Sequence, residues 1–275
     1  MEIGARLHHV QLLSASPADC AAFYGRIYAM DVAPIGSDWG CTGPERRLLF
    51  KAGASNQLGH AAYAFESAGE LNNYRSIVKS RADVLSATSP WLHGDVFTVS
   101  DPDGNKLLFG VRGNASSTVP VDAPPARLQH LALRSSNPAK LVDFYHQVLQ
   151  FKVSDRVHTN EGELRACFLR TDPEHHALAI FHAANPCYDH LSFETGDALQ
   201  VRDWADRIAR HDARIVWGIG RHGPGNDIFF MIRDPEGNLA EISAELEQCD
   251  PAREEGRWPH AERTLNLWGA AIMRS

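Results

Sequence analysis

Two histidines and one glutamate in the second half of the sequence have the types and surroundings of metal ligands. His130 lies in LQHLAL, His190 in YDHLSF and Glu241 in LAEIS, and each segment has the apolar character of a buried strand. A carboxylate in such a strand costs several kcal/mol of desolvation unless a cation receives it. Two imidazoles and one carboxylate are the set that holds a non-haem Fe(II) while leaving coordination positions open. The three residues therefore predict a metal site.

The sequence contains an internal duplication. Residues 6–24 (RLHHVQLLSASPADCAAFY) match residues 127–145 (RLQHLALRSSNPAKLVDFY) at a constant offset of 121, which is 127 minus 6. Phe97–Val111 and Phe229–Ser243 also match, and each reads as strand, Asp-Pro-acid-Gly-Asn turn and strand. Such self-similarity indicates two homologous domains.

The two copies differ at the position of the acid. When the duplicated turns are aligned, Leu108 stands opposite Glu241, while His9 and His60 stand opposite the two histidines of the second half. We therefore expect one metal ion per chain, bound in the second half, and a first half without metal. An alternative is that histidines at these positions are core residues inherited with the fold, each bonded to a backbone carbonyl.

Hydrophobic periodicity and helix start signals predict four βαβββ modules in an α+β fold. Within each module a strand leads into an amphipathic helix, and further strands follow. Two helices start at Ser-Pro or Asn-Pro pairs, and the predicted helices are Pro17 to near Tyr28, Gly69–Arg81, Pro138 to near Leu149, and Ala198–Arg210.

Composition places a boundary between the halves. Gly113–Ala126 is rich in Ser, Ala and Pro and has almost no periodicity, which is typical of a linker. We predict domains over residues 1–115 and 126–245 and a tail over residues 246–275 that packs back on the domains. Leu265–Trp268 is too apolar for a solvated end, and we expect the tail to close over the pocket of the second domain.

Charge and composition exclude several classes of protein. With 27 Lys and Arg against 34 Asp and Glu, the net charge is −7, so nucleic acid is not expected as a partner. The sequence has no apolar run of about 18 residues and no apolar leader, which predicts a cytoplasmic protein without a membrane partner. Its 5 cysteines are scattered and lack a CxxC pair, so we expect reduced thiols. Signature motifs for nicotinamide, nucleotide or serine-hydrolase chemistry are absent from the sequence.

Over about residues 6–245 the sequence resembles the vicinal oxygen chelate superfamily, and specifically its two-domain, catechol 2,3-dioxygenase-like extradiol ring-cleaving dioxygenases. The modules, the two DPxGN turns, the three candidate ligands and the stretch GRHGPGNDIFF before DPEGNLAEI carry this resemblance. It implies open barrels of paired βαβββ modules and an Fe(II) in the C-terminal domain, with Mn(II) as the alternative ion.

The resemblance also implies two catalytic histidines beside the metal. His176 in HHALAIF corresponds to a histidine near the oxygen site, and His222 in GRHGPGN corresponds to one that touches the substrate. An imidazole at a strand end is suited to proton transfer near neutral pH. The neighbouring His175 leaves the register open by one residue. A structural role in a polar turn is the alternative for the first of these histidines, and an ordinary loop is the alternative for the second.

One position departs from the family pattern. Nine residues after the motif histidine the family has a tyrosine that hydrogen-bonds the substrate, and here that position is Met231, which cannot do so. Either a neighbour such as Tyr188 or His182 supplies the contact, or the substrate lacks the group, or the chemistry has diverged. Trp217, Phe229 and Phe230 could line an aromatic pocket or form plain core.

The sequence therefore predicts an Fe(II)-dependent extradiol dioxygenase of aromatic catabolism that acts on a catechol-type substrate with O₂ and forms a homo-oligomer. One alternative is a metal enzyme of the same fold, glyoxalase-like or epimerase-like, with Glu241 or His222 as a base. A second alternative is a ligand-sequestering resistance protein, which needs no open metal position.

Overall fold

Each half of the chain forms one β-sheet in the computed structural model, which describes residues 2–113 and 122–273. The first sheet has eight strands in the order β2-β3-β4-β1-β5-β8-β7-β6, and the second has nine in the order β14-β15-β16-β13-β9-β12-β11-β10-β17. The strands are β1 (Arg6–Ser14), β2 (Asp31–Ile35), β3 (Asp38–Gly43), β4 (Arg46–Ala52), β5 (Gln57–Phe65), β6 (Leu85–Ser86), β7 (Leu92–Ser100), β8 (Lys106–Arg112), β9 (Arg127–Ser135), β10 (Lys152–His158), β11 (Leu164–Arg170), β12 (Leu178–His182), β13 (Cys187–Thr195), β14 (Ile215–Arg221), β15 (Ile228–Arg233), β16 (Leu239–Ala244) and β17 (Gly256–Pro259).

The first four helices lie close to their predicted bounds, and the short helix in the tail was not predicted. The helices are α1 (Pro17–Tyr28), α2 (Ala68–Lys79), α3 (Pro138–Asp143), α4 (Ala198–Arg210) and α5 (Glu262–Leu265). The third differs from the prediction, because α3 continues as a π-helical turn over Phe144–Val148. Gln150 donates from Nε2 to the carbonyls of His146 and Gln147 in this turn. These hydrogen bonds stabilise the π-helical turn.

Two βαβββ modules make up each sheet, as predicted from the sequence, and the α+β fold class is confirmed. The first strands of paired modules run antiparallel to each other, β1 with β5 and β9 with β13. The last strand of each module then joins its own first strand in parallel, as β12 joins β9 and β16 joins β13. This arrangement brings the first strands of all four modules to the middle of the two sheets.

The alternation of side chains along the central strands determines which residues share a face of the sheet. On β9, Leu131 and Leu133 belong to a hydrophobic core shared by both halves, which also contains the buried faces of α1 to α4. Ala132 belongs to a second cluster on the other face of the sheet. Since side chains two residues apart share a face of a strand, His130 points to that second face together with Ala132. The candidate metal residues therefore lie on the face away from the helices.

Strand register confirms that the duplicated positions are structurally equivalent. In the first sheet His60 pairs with Gln11 and Ala62 pairs with Leu108. In the second sheet the corresponding pairs are His190 with Ala132 and Ser192 with Glu241. Leu108 therefore occupies the place in the first sheet that Glu241 occupies in the second.

Reciprocal hydrogen bonds join the halves. Tyr145 on the helix of the second half donates to Asp101 Oδ2 in the turn of the first half at 3.0 Å. Tyr24 on α1 makes the equivalent contact with Asp234 Oδ2 at 3.5 Å. Both turns close through a glycine in the left-handed region, with φ of 89° at Gly104 and 84° at its counterpart.

The tail adds to the second sheet. β17 pairs in parallel with β10, and Glu174 forms a bridge with Gln248. Of the predicted linker, residues 114–121 lie outside the described residues, as do residues 1, 274 and 275. The two sheets fall on either side of this segment, and the domain boundaries at 1–115, 126–245 and 246–275 stay predictions.

Other features agree with the composition. All five cysteines are free thiols. Among the described residues, no helix combines the length and the apolar character needed to cross a membrane.

The Tyr145 contact allows a test of how the halves are joined. Replacing Tyr145 with Phe removes a buried hydrogen bond to a carboxylate, so the free energy of unfolding in urea should fall by about 1.5 to 3 kcal/mol. Tyr24→Phe is the matched control and should cost less, because its contact is longer. Equal losses for the two variants, or none for Tyr145→Phe, would contradict this account.

Candidate metal centre and pocket

Adjacent strands bring the three candidate ligands together. β16, β13 and β9 are neighbours in the second sheet, and His130 and Glu241 lie across from the same residue, Ser192, on its two sides. Ligand atoms of His130, His190 and Glu241 all lie within 4.8 Å of one another. His130 Nε2 is 3.2 Å from His190 Nε2 and 3.7 Å from Glu241 Oε1. This is a compact set of two nitrogens and one carboxylate.

The Glu241 carboxylate is buried without a hydrogen-bond donor. The residue has 0% exposure, and within the described part of the chain neither of its oxygens has a hydrogen-bond partner. Burial raises the pKa of Glu241, but the neighbouring imidazoles, His222 foremost, outweigh burial and lower the pKa to about 2. Glu241 is therefore an anion at neutral pH. A buried anion in this state is strongly unfavourable unless a cation balances it.

Hydrogen bonds on the outer edges of the two ligand imidazoles fix their tautomers. Gln129 donates from Nε2 to the carbonyl of His176 at 2.7 Å, so its Oε1 is the atom 2.5 Å from His130 Nδ1 and accepts the proton there. Asp189 Oδ1 lies 2.5 Å from His190 Nδ1 and accepts in the same way. Carboxylate and amide partners of this kind orient metal-binding histidines.

These tautomers leave a lone pair on each Nε2 atom. Burial lowers the pKa of His130 to about 3, so its ring is neutral and carries its one proton on Nδ1. With His190 in the tautomer that Asp189 favours, the two Nε2 atoms face each other at 3.2 Å with no proton between them. Two lone pairs at this distance repel, and a cation that both can bind removes the repulsion. The donor set therefore fits a divalent metal ion.

His176 lies in the wall of a cavity beside these ligands. Its ring centroid is 4.4 Å from that of His130 and 5.1 Å from that of Phe168. Burial lowers the pKa of His176 well below its usual range, so the ring is neutral. His175 instead points towards Asp155, with Nε2 at 3.0 Å from the carboxylate. Of the two neighbouring histidines, the structure places the second one at the cavity.

His222 approaches the site from the loop between β14 and β15. Its Nδ1 donates to the carbonyl of Leu265 at 2.5 Å, and its Nε2 lies 3.6 Å from Glu241 Oε2. The ring stacks on Phe229 with centroids 3.7 Å apart. Burial lowers the pKa of His222, but the charges of Asp227 and Glu241 outweigh burial and raise it.

Asp227 is a member of the site that sequence reasoning missed. It has 0% exposure, and it forms with His222 and Glu241 a second group whose ligand atoms lie within 4.8 Å of one another. Burial raises the pKa of Asp227 to about 7, against the opposing effect of His222. The available signal was an acid set directly before the apolar run IFFMI, five residues after a candidate catalytic histidine.

The cavity is apolar apart from its imidazoles and one threonine. The empty space between its lining residues is about 370 Å³ and includes open solvent. The tail supplies two residues of its wall, Thr264 and Leu265. The full lining consists of His130, Phe168, His176, Ala179, Phe181, His190, His222, Pro224, Met231, Thr264 and Leu265.

Met231 occupies the cavity wall where the resemblance led us to look for a tyrosine. It pairs with Glu241 across β15 and β16 and is fully buried. The two suggested substitutes have other partners. Tyr188 donates its hydroxyl to the carbonyl of Leu239 at 3.2 Å, and His182 Nδ1 lies 2.8 Å from Arg165 Nη1. The wall is therefore apolar at this point. Trp217 and Phe229 belong to the cluster on the cavity face, while Phe230 belongs to the shared core.

The corresponding place in the first sheet is filled by side chains. His9 and His60 lie with ring centroids 5.2 Å apart, and the ring of Trp91 is also 5.2 Å from that of His9. Ser89 Oγ lies 3.3 Å from His9 Nε2. Within residues 2–113 and 122–273, groups of three or more side chains that could hold a metal occur only in the second half.

Comparison with protein families gives one match. Residues 127–242 match the family model described as the Glyoxalase/Bleomycin resistance protein/Dioxygenase superfamily. A similar protein is metapyrocatechase 2 of Cupriavidus necator, which is 28% identical over 197 residues. The match covers 62% of this chain and 60% of that relative, so this chain spans less than two thirds of the relative's length.

Solved structures share the fold over nearly the whole chain. The Mn(II)-bound glyoxalase from Novosphingobium aromaticivorans has a TM-score of 0.80 at 22% identity and covers 98% of this chain and 93% of its own. Homoprotocatechuate 2,3-dioxygenase from Arthrobacter globiformis has a TM-score of 0.81 at 20% identity, with 98% of this chain and 88% of its own covered. At these identities the likeness concerns the fold.

The geometry predicts that one metal ion binds per chain, in the second half. Glu241→Ala should reduce metal content from one equivalent to nearly none, because two neutral imidazoles hold a hard divalent ion poorly. Metal analysis of protein purified without air provides the measurement. His60→Ala is the matched control at the duplicated position and should keep its metal. Two equivalents in the wild type, or full metal content in His130→Ala, would show that the site is misplaced.

Proposed function

Residues 127–242 of this chain belong to the Glyoxalase/Bleomycin resistance protein/Dioxygenase superfamily, and on that premise we propose that the protein is an Fe(II)-dependent extradiol dioxygenase that cleaves a catechol-type ring with O₂. The observation that carries the proposal is the pair of facing imidazole Nε2 atoms beside a buried carboxylate that lacks a hydrogen-bond partner among the described residues, at the wall of an apolar cavity. The similarity to metapyrocatechase 2 supports it. The homo-oligomeric state and the cytoplasmic location stay predictions.

His130, His190 and Glu241 are the proposed metal ligands. Fe(II) held by them, or Mn(II) as the alternative, would supply Lewis acidity and a path for electrons from the catechol to O₂. In this reaction a ring C–C bond next to the two hydroxyl-bearing carbons breaks, and both atoms of O₂ enter the product, a hydroxymuconic semialdehyde. The chain contributes fixed ligands, proton transfer and a dry cavity.

His176 is the proposed proton-transfer residue. Its neutral ring lies in the cavity wall, next to the ring of His130, so it can accept a proton from a substrate hydroxyl and return one later. A positioned imidazole typically contributes about 100-fold to 10,000-fold to a rate. His222 lies beside Glu241 in the cavity wall, where the carbonyl of Leu265 fixes its ring, and it is the proposed contact to the bound substrate.

The tail is the proposed cover of this cavity. Thr264 and Leu265 form part of the wall, and the amide of Gly223 donates to the carbonyl of Thr264 at 3.0 Å. The ring of Trp217 donates from Nε1 to the carbonyl of Ala270 at 3.0 Å, which ties the end of the tail to β14. Exclusion of water by such a cover strengthens the electrostatic interactions inside and limits side reactions.

Oxygen consumption tests the proposed reaction. Protein loaded with Fe(II) without air should consume about one O₂ per catechol and form a product with the visible absorbance of a ring-opened semialdehyde. His176→Phe should keep its iron and slow turnover by roughly 100-fold or more, whereas Glu241→Ala should lose both iron and activity. Metal-dependent turnover of a thiohemiacetal without O₂ would instead identify a glyoxalase-type enzyme, and ligand binding without turnover would identify a sequestering protein.

The cavity lining also predicts the charge of the substrate. Among the described residues that line the cavity, none is Lys, Arg, Asp or Glu, and Met231 and Leu265 are apolar. A ring substituent that carries a carboxylate would be buried here without a lysine or arginine partner, at a cost of several kcal/mol. We therefore expect uncharged catechols as substrates.

A matched pair of compounds checks this expectation. The value of kcat/KM for 3,4-dihydroxyphenylacetate should be lower than that for its methyl ester by roughly 100-fold or more, because the ester has the same ring and lacks the charge, and it adds only one methyl group. Equal values would mean that a cation reaches the substituent, and a preference for the acid would reverse the assignment.

A further inference from the structure

A chain of polar contacts runs from the tail through β10 to the cavity. At its centre is Asp155, which is fully buried and accepts four hydrogen bonds. Its Oδ2 atom accepts from His175 Nε2 at 3.0 Å and from Trp258 Nε1 at 2.9 Å. Its Oδ1 atom accepts from Arg253 Nη2 at 2.9 Å and from the amide of Gly256 at 3.1 Å. Three of the four donors belong to the tail.

The charge on Asp155 decides the direction of these bonds. Burial raises the pKa of Asp155, but the bonds from His175 and Arg253 outweigh burial and hold the pKa below its usual value. The group is therefore a carboxylate at neutral pH, and a carboxylate can only accept. His175 must consequently carry a proton on Nε2.

The other ring nitrogen of His175, Nδ1, contacts His176, so the position of the His175 proton determines the tautomer of His176. The two Nδ1 atoms lie 3.0 Å apart, and both residues are buried. With the His175 proton on Nε2, its Nδ1 is the acceptor, and the proton between the Nδ1 atoms belongs to His176. His176 then has an unprotonated Nε2, on the opposite edge of a ring that lines the cavity. The backbone is held too, since Ser154 Oγ donates to the carbonyl of His175 at 2.5 Å.

We propose that Asp155 and His175 are positioning residues that fix the orientation and tautomer of His176, with Nε2 as the free edge towards the substrate, and that the tail completes this arrangement by binding the same carboxylate. The tail then does more than cover the cavity. Withdrawing Trp258, Arg253 and Gly256 would leave Asp155 with His175 as its single donor from this set and open it to water, so the state of the tail and the state of His176 are coupled. The effect on turnover rests on the proposed dioxygenase function, whereas the tautomer does not.

The tautomer can be measured without turnover. In protein loaded with Zn(II), which is diamagnetic, two-bond ¹⁵N–¹H correlation spectra of ¹⁵N-histidine protein distinguish protonated from unprotonated ring nitrogens, and His176→Phe identifies the signals. We expect Nδ1 of His176 to be protonated and Nε2 to have the shift of an unprotonated nitrogen. A proton on Nε2 of His176 in the resting protein would overturn the proposal, even if the protein proved to be a dioxygenase.

Variants then test the path from Asp155 to His176. Asp155→Asn should lower kcat for catechol by about 10-fold to 100-fold with iron content kept, as is usual for partners that orient site residues. Added to His176→Phe, the same change should lower kcat no further, because it acts through His176. A full additional loss in the double variant would mean that Asp155 acts on structure alone.

The tail is tested by two tryptophans. Trp258→Phe removes the Nε1 donor to Asp155, whereas Trp268→Phe alters an exposed tail residue that stacks on Arg221. We expect Trp258→Phe to lower kcat at least several-fold and to shift the His176 ¹⁵N signals, and Trp268→Phe to do neither. Unchanged signals in Trp258→Phe would refute the coupling to the tail, and this variant keeps the test available if Asp155→Asn does not fold.

Discussion

The metal centre depends on one buried contact between side chains, in which two imidazole lone pairs and a carboxylate without a hydrogen-bond donor face one another. His130 and His190 repel at 3.2 Å, and Glu241 adds an anion beside them. The sheet enforces this proximity, because the other face of the same strands packs into the core shared by both halves. The packing energy of that core keeps the three groups in place. A cation turns the repulsion into coordination, and its binding free energy adds to the stability of the folded chain.

Much of this arrangement could be predicted from the sequence, because the two duplicated halves of the chain can be compared with each other. The duplication placed Leu108 opposite Glu241, and the strand register confirms that these positions are equivalent. The helix bounds followed from local signals such as Pro at the first turn, which act over a few residues. The π-helical turn could not be anticipated, since it depends on how Gln150 closes the end of the helix.

The partners of the site residues were beyond sequence reasoning for a physical reason. Asp189 precedes His190 directly, and alternation along a strand would send the two side chains to opposite faces, yet a carboxylate oxygen of Asp189 reaches the imidazole. The register shift between Tyr188 and His190 changes the local geometry here. Asp227 was missed because its importance lies in burial next to His222, and burial of an acid at the end of a loop has no signature in one sequence.

The packing of the tail could also be predicted only in part from the sequence. Its apolar residues predicted that it would pack on the protein, but its receptor, Asp155, lies about a hundred residues earlier on a strand that gains β17 as a parallel neighbour. A carboxylate offers about four acceptor positions, and the four donors to Asp155 fill them. If the tail donors were lost, water would have to replace their hydrogen bonds to Asp155. That water would compete with His175 for the same carboxylate oxygens. The ring that the substrate meets is therefore held in its orientation most firmly when the cavity is covered, which links the exclusion of water to the readiness of His176.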